Sequence, residues 1–141
     1  MDEVPKGRLD TAVVGTLARR AVSHPLVTKW VYAPNARSPR SLVIELDATA
    51  HPTAVTDARL DVRWFDNDDY TFHYIETHDN EHWQCRWDRN PKAGIPDEHF
   101  HPPPDASDVE TSELSPTHHL DALLSVLDWV SEQVATPYEN G

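Results

Sequence analysis

At 141 residues with 38% hydrophobic content, the chain is the size of one domain and can bury one modest core. Its 24 Asp plus Glu against 12 Lys plus Arg give a formal net charge of -12, which in ordinary salt opposes approach to nucleic-acid phosphate. Cys85 is the lone cysteine, which excludes an internal disulfide and a cysteine-based zinc cluster within one chain. Lysine occurs only at Lys6, Lys29 and Lys92, so the surface is rich in Asp and poor in Lys. Such a surface stays soluble at molar salt and points to a halophilic archaeal cytosol. There the Debye length is about 3 Å, the long-range repulsion lapses, and only the local arrangement of Arg and His bears on an RNA partner. No apolar run approaches the roughly 20 residues needed to span a bilayer, and Met1 to Lys6 lacks the apolar core of a signal peptide. The expected location is cytoplasmic.

In chain order, Leu9, Val13, Leu17 and Ala21 recur at helical spacing behind a capping Asp10 or Thr11 and ahead of Pro25, predicting a short amphipathic helix. Val27 to Tyr32 and Leu42 to Leu46 read as strands, separated by a proline-bounded loop from Pro34 to Pro39. Beyond a loop at His51-Pro52, the runs Arg59–Phe65, Tyr70–Thr77 and Glu81–Asp88 alternate with turn residues Asp66–Asp69 and His78-Asp79-Asn80, predicting a three-stranded meander. A two-residue turn at Asp79-Asn80 sets His73 opposite Arg86, Thr71 opposite Asp88 and Phe72 opposite Trp87. Gln84, Arg86 and Asp88 then share one face, and Trp83, Cys85 and Trp87 the other.

From Asn90 to Ser115 the prolines at 91, 96, 102, 103 and 104 predict a long loop without continuous helix or central strand. Ser115-Pro116 supplies a cap and first-turn proline for a helix carrying Leu120, Leu123, Leu124, Leu127, Val130 and Val134, and 136–141 reads as a tail. The expected architecture is a single α+β domain over 1–141, an antiparallel meander of about five strands with an N-terminal and a C-terminal helix packed on it.

The segment with the most chemistry runs from Cys85-Arg86-Trp87-Asp88-Arg89-Asn90-Pro91 to Asp97-Glu98-His99-Phe100-His101 and joins a strand end to a proline-stiffened loop. Arg86 and Arg89 suit phosphate oxygens, and a neutral His paired with a protonated His can act as base and acid on a ribose 2′-hydroxyl and a leaving oxygen. That chemistry needs no metal and no cofactor. A purely structural reading instead pairs Arg86 with Asp88 and uses His99 and His101 to hydrogen-bond the loop to the sheet. His99 and His101 also have the spacing of two metal ligands on an extended segment, with His118-His119 as a source of a third. No carboxylate partner for them is evident from sequence, so the metal-free reading is preferred.

His73 joins the site if it faces Arg86; otherwise it is a hydrogen-bonded core histidine. Cys85 on the aromatic face reads as an inert buried thiol. Trp64, Trp83 and Trp87 with Phe72 and Tyr74 read as cross-strand core rather than a base-stacking platform, and Asp66 to Asp69 as a solvated turn rather than a cation site. The chain has no glycine-rich phosphate loop, Gly-x-Ser-x-Gly elbow or Cys-x-x-Cys pair, which removes most cofactor enzymes.

Tyr70 to Asn90, a hairpin ending in Arg86-Trp87-Asp88-x-Asn90 and followed by a loop with His99-x-His101, resembles the TumE-type toxins of prokaryotic toxin-antitoxin systems. Those proteins share a β-meander whose last strand ends in Arg-Tyr-Asp-Asn or similar, then a His-rich loop and a C-terminal helix. The resemblance covers Leu60 to Val134, with Trp87 in place of the usual tyrosine and Arg89 inserted between the aspartate and the asparagine. It implies a growth-inhibiting protein that acts on RNA and is neutralised by a small DNA-binding antitoxin encoded beside it. Matching positions give Arg86, Asp88, Asn90, His99 and His101 as the functional set.

Taken together, the leading expectation is a toxin with metal-independent ribonuclease activity. His99, His101 and Asp88 are its catalytic candidates, and Arg86, Arg89, Asn90 and His73 its substrate-binding candidates. The competing expectation is a non-catalytic interaction module whose proline-rich loop 90–104, with Phe100, docks a protein partner.

Overall fold

The computed structural model describes residues 8–50, 55–89, 98–112, 114 and 118–135. The elements are α1 (Thr11–Ala21), β1 (Val27–Ala33), β2 (Ser41–Leu46), a 3-10 turn (Ala48–Ala50), β3 (Val55–Trp64), β4 (Tyr70–His78), β5 (Glu81–Arg89), β6 (Glu98–His101), β7 (Glu110–Thr111) and α2 (His119–Ala135). The strands form one seven-stranded sheet in the order β1-β2-β3-β4-β5-β6-β7, each antiparallel to its neighbours. The fold is therefore the α+β meander with terminal helices read from the sequence, with seven strands rather than five.

The two additional strands come from the segment expected to be loop. Pro96 and Pro102 bracket β6 without entering it, and the four residues between Asp97 and Pro102 pair antiparallel with the end of β5. Proline density over the whole segment concealed a short proline-free window, which is all a ladder needs. The two-residue β7 covers the outer side of β6.

Local chemistry accounts for the other boundaries. Asp10 accepts the Val13 N–H at 3.1 Å and so caps α1, while Arg19 and Arg20 sit in its last turn, where cations complement the helix dipole. Asp79 and Asn80 both take positive φ, 49° and 67°, giving a tight two-residue turn of the primed type that matches strand twist. That turn fixes the register between β4 and β5, with His73 opposite Arg86, Thr71 opposite Asp88 and Phe72 opposite Trp87. At α2 the His118 ring nitrogen Nδ1 accepts the Leu120 N–H at 3.1 Å, so a histidine caps the helix at its start. Ser115 and Pro116, expected in that role, lie outside the described residues, as does the expected tail 136–141.

Both helices cover one face of the sheet. Val14, Leu17, Ala18 and Ala21 of α1 and Ala122, Leu123, Val126, Leu127 and Val130 of α2 join Leu42, Ile44, Leu60, Val62, Phe72, Tyr74 and Cys85 in one buried cluster. Trp129 of α2 lies across β5 and β6, with ring centroids 5.1 Å from Trp87, 6.2 Å from Phe100 and 6.4 Å from Trp83. The aromatic set is core, as expected, and Cys85 is fully buried within it. Buried Glu76 also lies on this face, accepting from the Tyr74 hydroxyl and lying 3.1 Å from His78 Nε2. No described helix is long and apolar enough to cross a membrane.

Candidate functional site

Because side chains alternate along a strand and paired residues share a face, the sheet register determines which polar groups meet on the face away from the helices. One row across that face is Asp61, His73, Arg86 and His101; the next is Arg63, Thr71, Asp88, His99 and Thr111. The Trp87 and Phe100 side chains between these rows point the other way and pack on each other at 5.0 Å. The apolar layer thus anchors the two strands, β5 and β6, that carry the site.

Asp88 is the centre of the cluster. Its Oδ2 accepts from Arg86 Nε at 2.9 Å, lies 3.0 Å from His101 Nε2 and lies 3.8 Å from His99 Nε2. The two imidazoles stand edge to face with centroids 5.1 Å apart. Asp88, His99 and His101 are 5%, 2% and 7% exposed, whereas the Arg86 side chain is 34% exposed and is the accessible member. His101 Nδ1 lies 3.0 Å from the Asp108 carbonyl, which can only accept, so Nδ1 carries the proton. Burial, aided by the Arg86 charge and by His99 and opposed by Asp88 and the Asp108 carbonyl, holds the His101 pKa below 6.5. His101 is then neutral at neutral pH, with its lone pair on Nε2.

Two buried ring nitrogens of this cluster, His99 Nδ1 and His101 Nε2, have no hydrogen-bond partner among the described residues. The 3.0 Å approach of His101 Nε2 to Asp88 is within ion-pair distance but lacks hydrogen-bond alignment. Asp88, His99 and His101 offer one donor atom each within 4.8 Å of one another, and they are the one such group among the described residues.

The remaining sequence candidates separate from this cluster. His73 shares the face with Arg86, but its Nε2 donates to Gln84 Oε1 at 2.7 Å. Arg89 is three positions from Arg86 on a strand and therefore points to the helix-covered face. There it pairs with Glu98 at 3.2 Å and lies 4.9 Å over the Tyr70 ring and 5.8 Å over Trp64. The expected clamp of Arg86 with Arg89 is thus not formed, since odd spacing along a strand divides the two arginines between faces. Asn90 lies outside the described residues.

His119 packs on Trp64 at 5.8 Å and stacks on His118 at 4.0 Å, on the opposite side of the sheet from His99 and His101, so the His118-His119 pair supplies no third ligand. The carboxylate that the sequence did not reveal beside the two histidines is Asp88, brought there by the pairing of Asp88 with His99. Phe100, the expected anchor of a docking loop, is committed to Trp87 and Trp129 in the core; residues 90–97 of that loop lie outside the described residues.

Sequence reading passed over Arg59, Asp61 and Arg63, which share the open face. Arg59 pairs with Asp61 at 3.2 Å, and Arg63 lines a cavity of about 330 Å³ with Leu9, Pro39, Arg40 and Phe65. The signal was present in the alternation of Arg59, Asp61 and Arg63 with Leu60, Val62 and Trp64, which marks a charged face on β3.

With this geometry in place, comparison with known families is informative. The family described as Toxin TumE matches residues 17–134, which span the sheet, the cluster and nearly all of α2. The chain belongs to the TumE toxin family. No curated protein and no solved structure matches it.

Proposed function

We propose that the chain is the growth-inhibiting toxin of a toxin-antitoxin pair and that the sheet face away from its helices cleaves RNA. Family membership supports the toxin role. The observation that carries the cleavage role is the convergence of Arg86, Asp88, His99 and His101 at one carboxylate oxygen. In this reading the ribose 2′-oxygen attacks phosphorus, an O2′–P bond forms as the P–O5′ bond breaks, one proton leaves O2′ and one is delivered to O5′. His101 is suited to take the first proton and His99 to give the second, while Arg86 binds non-bridging oxygens and Asp88 orients its neighbours. Arg86, the accessible member, is where a phosphate would first meet the cluster, whose other members lie beneath the surface. His73 flanks the same site, whereas Arg89 is occupied on the other face and is left out.

The partner in this reading is an antitoxin with a DNA-binding domain, and the setting is a salt-rich archaeal cytoplasm, which the net charge of -12 and the scarcity of lysine support. The test is induction of the gene in a haloarchaeal host beside a His99→Ala, His101→Ala double variant, with growth and total RNA followed together. Arrest with RNA breakdown for the unaltered chain alone is expected. Equal growth of both strains with intact RNA overturns the reading.

A further inference from the structure

We propose that Asp88, His99 and His101 form a binding site for one divalent transition-metal ion, of the class that includes zinc and cobalt. Two imidazoles and one carboxylate are a borderline donor set, which selects such ions over magnesium or calcium. The separations from Asp88 Oδ2, 3.0 and 3.8 Å, bracket the roughly 3.3 Å expected between donors bound to one tetrahedral ion at about 2.0 to 2.1 Å.

The hydrogen bonding of His101 is what a metal ligand requires. His101 Nδ1 hydrogen-bonds the Asp108 carbonyl, which turns Nε2 toward the Asp88 carboxylate, 3.0 Å away without hydrogen-bond alignment. A metal ion held by Nε2 and Oδ2 gives both atoms a partner. Arg86 on the carboxylate then serves as the outer partner that a ligating carboxylate usually has. His99 Nδ1 is the second ring nitrogen of the cluster without a hydrogen-bond partner among the described residues. Three protein ligands leave a position open to water or a phosphate oxygen.

The site goes beyond the cleavage reading, because with an ion seated the imidazoles are ligands and proton transfer passes to groups at the open position. The test uses full-length protein stripped with a chelator and titrated with Co²⁺, reading the visible d–d bands and the stoichiometry. Bands that saturate at one Co²⁺ per chain and vanish with Zn²⁺ are expected, with affinity at least about tenfold weaker in Asp88→Asn and in His101→Gln. A His118→Ala, His119→Ala variant should bind as the unaltered chain does, and circular dichroism confirms that each variant is folded. Absence of bands in the unaltered chain overturns the site without any variant. So does unchanged affinity in both Asp88→Asn and His101→Gln, or loss confined to the His118→Ala, His119→Ala variant. Stoichiometric Co²⁺ binding with intact RNA in the induction test keeps the site and removes the nuclease; RNA breakdown that survives chelation, with no bands, does the reverse.

Discussion

Replacing Asp88 by asparagine in chelator-treated protein removes the negative charge facing Arg86 while preserving side-chain shape. The contact is 2.9 Å long, with the Asp88 and Arg86 side chains 7% and 34% exposed. Two unit charges about 4 Å apart interact by about 4 kcal/mol at an effective dielectric constant of about 20. Solvent at the arginine and the desolvation of the aspartate offset most of that, leaving about 1 to 2 kcal/mol of net stabilisation. Neutral His101 adds no ion-pair energy at pH 7.5. In a chain of this size the loss corresponds to a drop in Tm of about 3 to 8 °C. Thermal and urea unfolding of the single variants Asp88→Asn and Arg86→Gln and of their double variant complete a cycle whose coupling energy should be about 1 to 2 kcal/mol. If the single effects add to within about 0.3 kcal/mol, the pair is not coupled and the electrostatic account of the site fails.

Four further outcomes follow from other parts of the molecule. Glu76→Ala leaves Tyr74 and His78 facing a vacated buried position and should cost about 3 kcal/mol in urea unfolding, with Glu76→Gln milder. Burial, with the His118 charge, lowers the His119 pKa below 6.5. The unfolded chain therefore binds the proton more readily, so His119 favours the fold fully above about pH 6.5 and progressively less as pH falls through its folded pKa. Tm measured from pH 8 to pH 5 should fall more steeply for the unaltered chain than for His119→Gln. Burial among aromatic groups, with Glu76 nearby, raises the Cys85 pKa, so the thiol should react with a disulfide reagent only after unfolding, read by absorbance with and without denaturant. Finally, KCl raised from 0.1 to 3 M should increase Tm as the net charge of -12 is screened.

Much of the site was legible because β4 and β5 carry strong alternation and a turn whose two residues tolerate positive φ. Once Asp79 and Asn80 fix the register, the placement of His73, Arg86 and Asp88 on one face follows from period two. What could not be read was β6, because its four residues have no pattern of their own and are strand only by pairing with β5. With β6 went the reason His99 and His101 meet Asp88, and with it the carboxylate of the metal site. Arg89 was misplaced for a different reason: its neighbour in sequence chemistry, Arg86, is its opposite in facing, and composition ignores facing. Likewise His118 reads as a ligand by type, yet its nitrogen is used to cap a helix.

The order of strands in the sheet repeats their order in the chain, so every pairing closes a short loop and can form as soon as its second strand exists. During synthesis β4 and β5 present Arg86 and Asp88 first, but the carboxylate gains its histidines only when β6 has emerged, and the aromatic layer that holds β5 and β6 together is closed only by Trp129 near the end of α2. A truncated copy lacking α2 keeps the chemical groups and the β5–β6 ladder but loses the Trp129 contacts to Trp87 and Phe100 that back the two strands carrying the cluster.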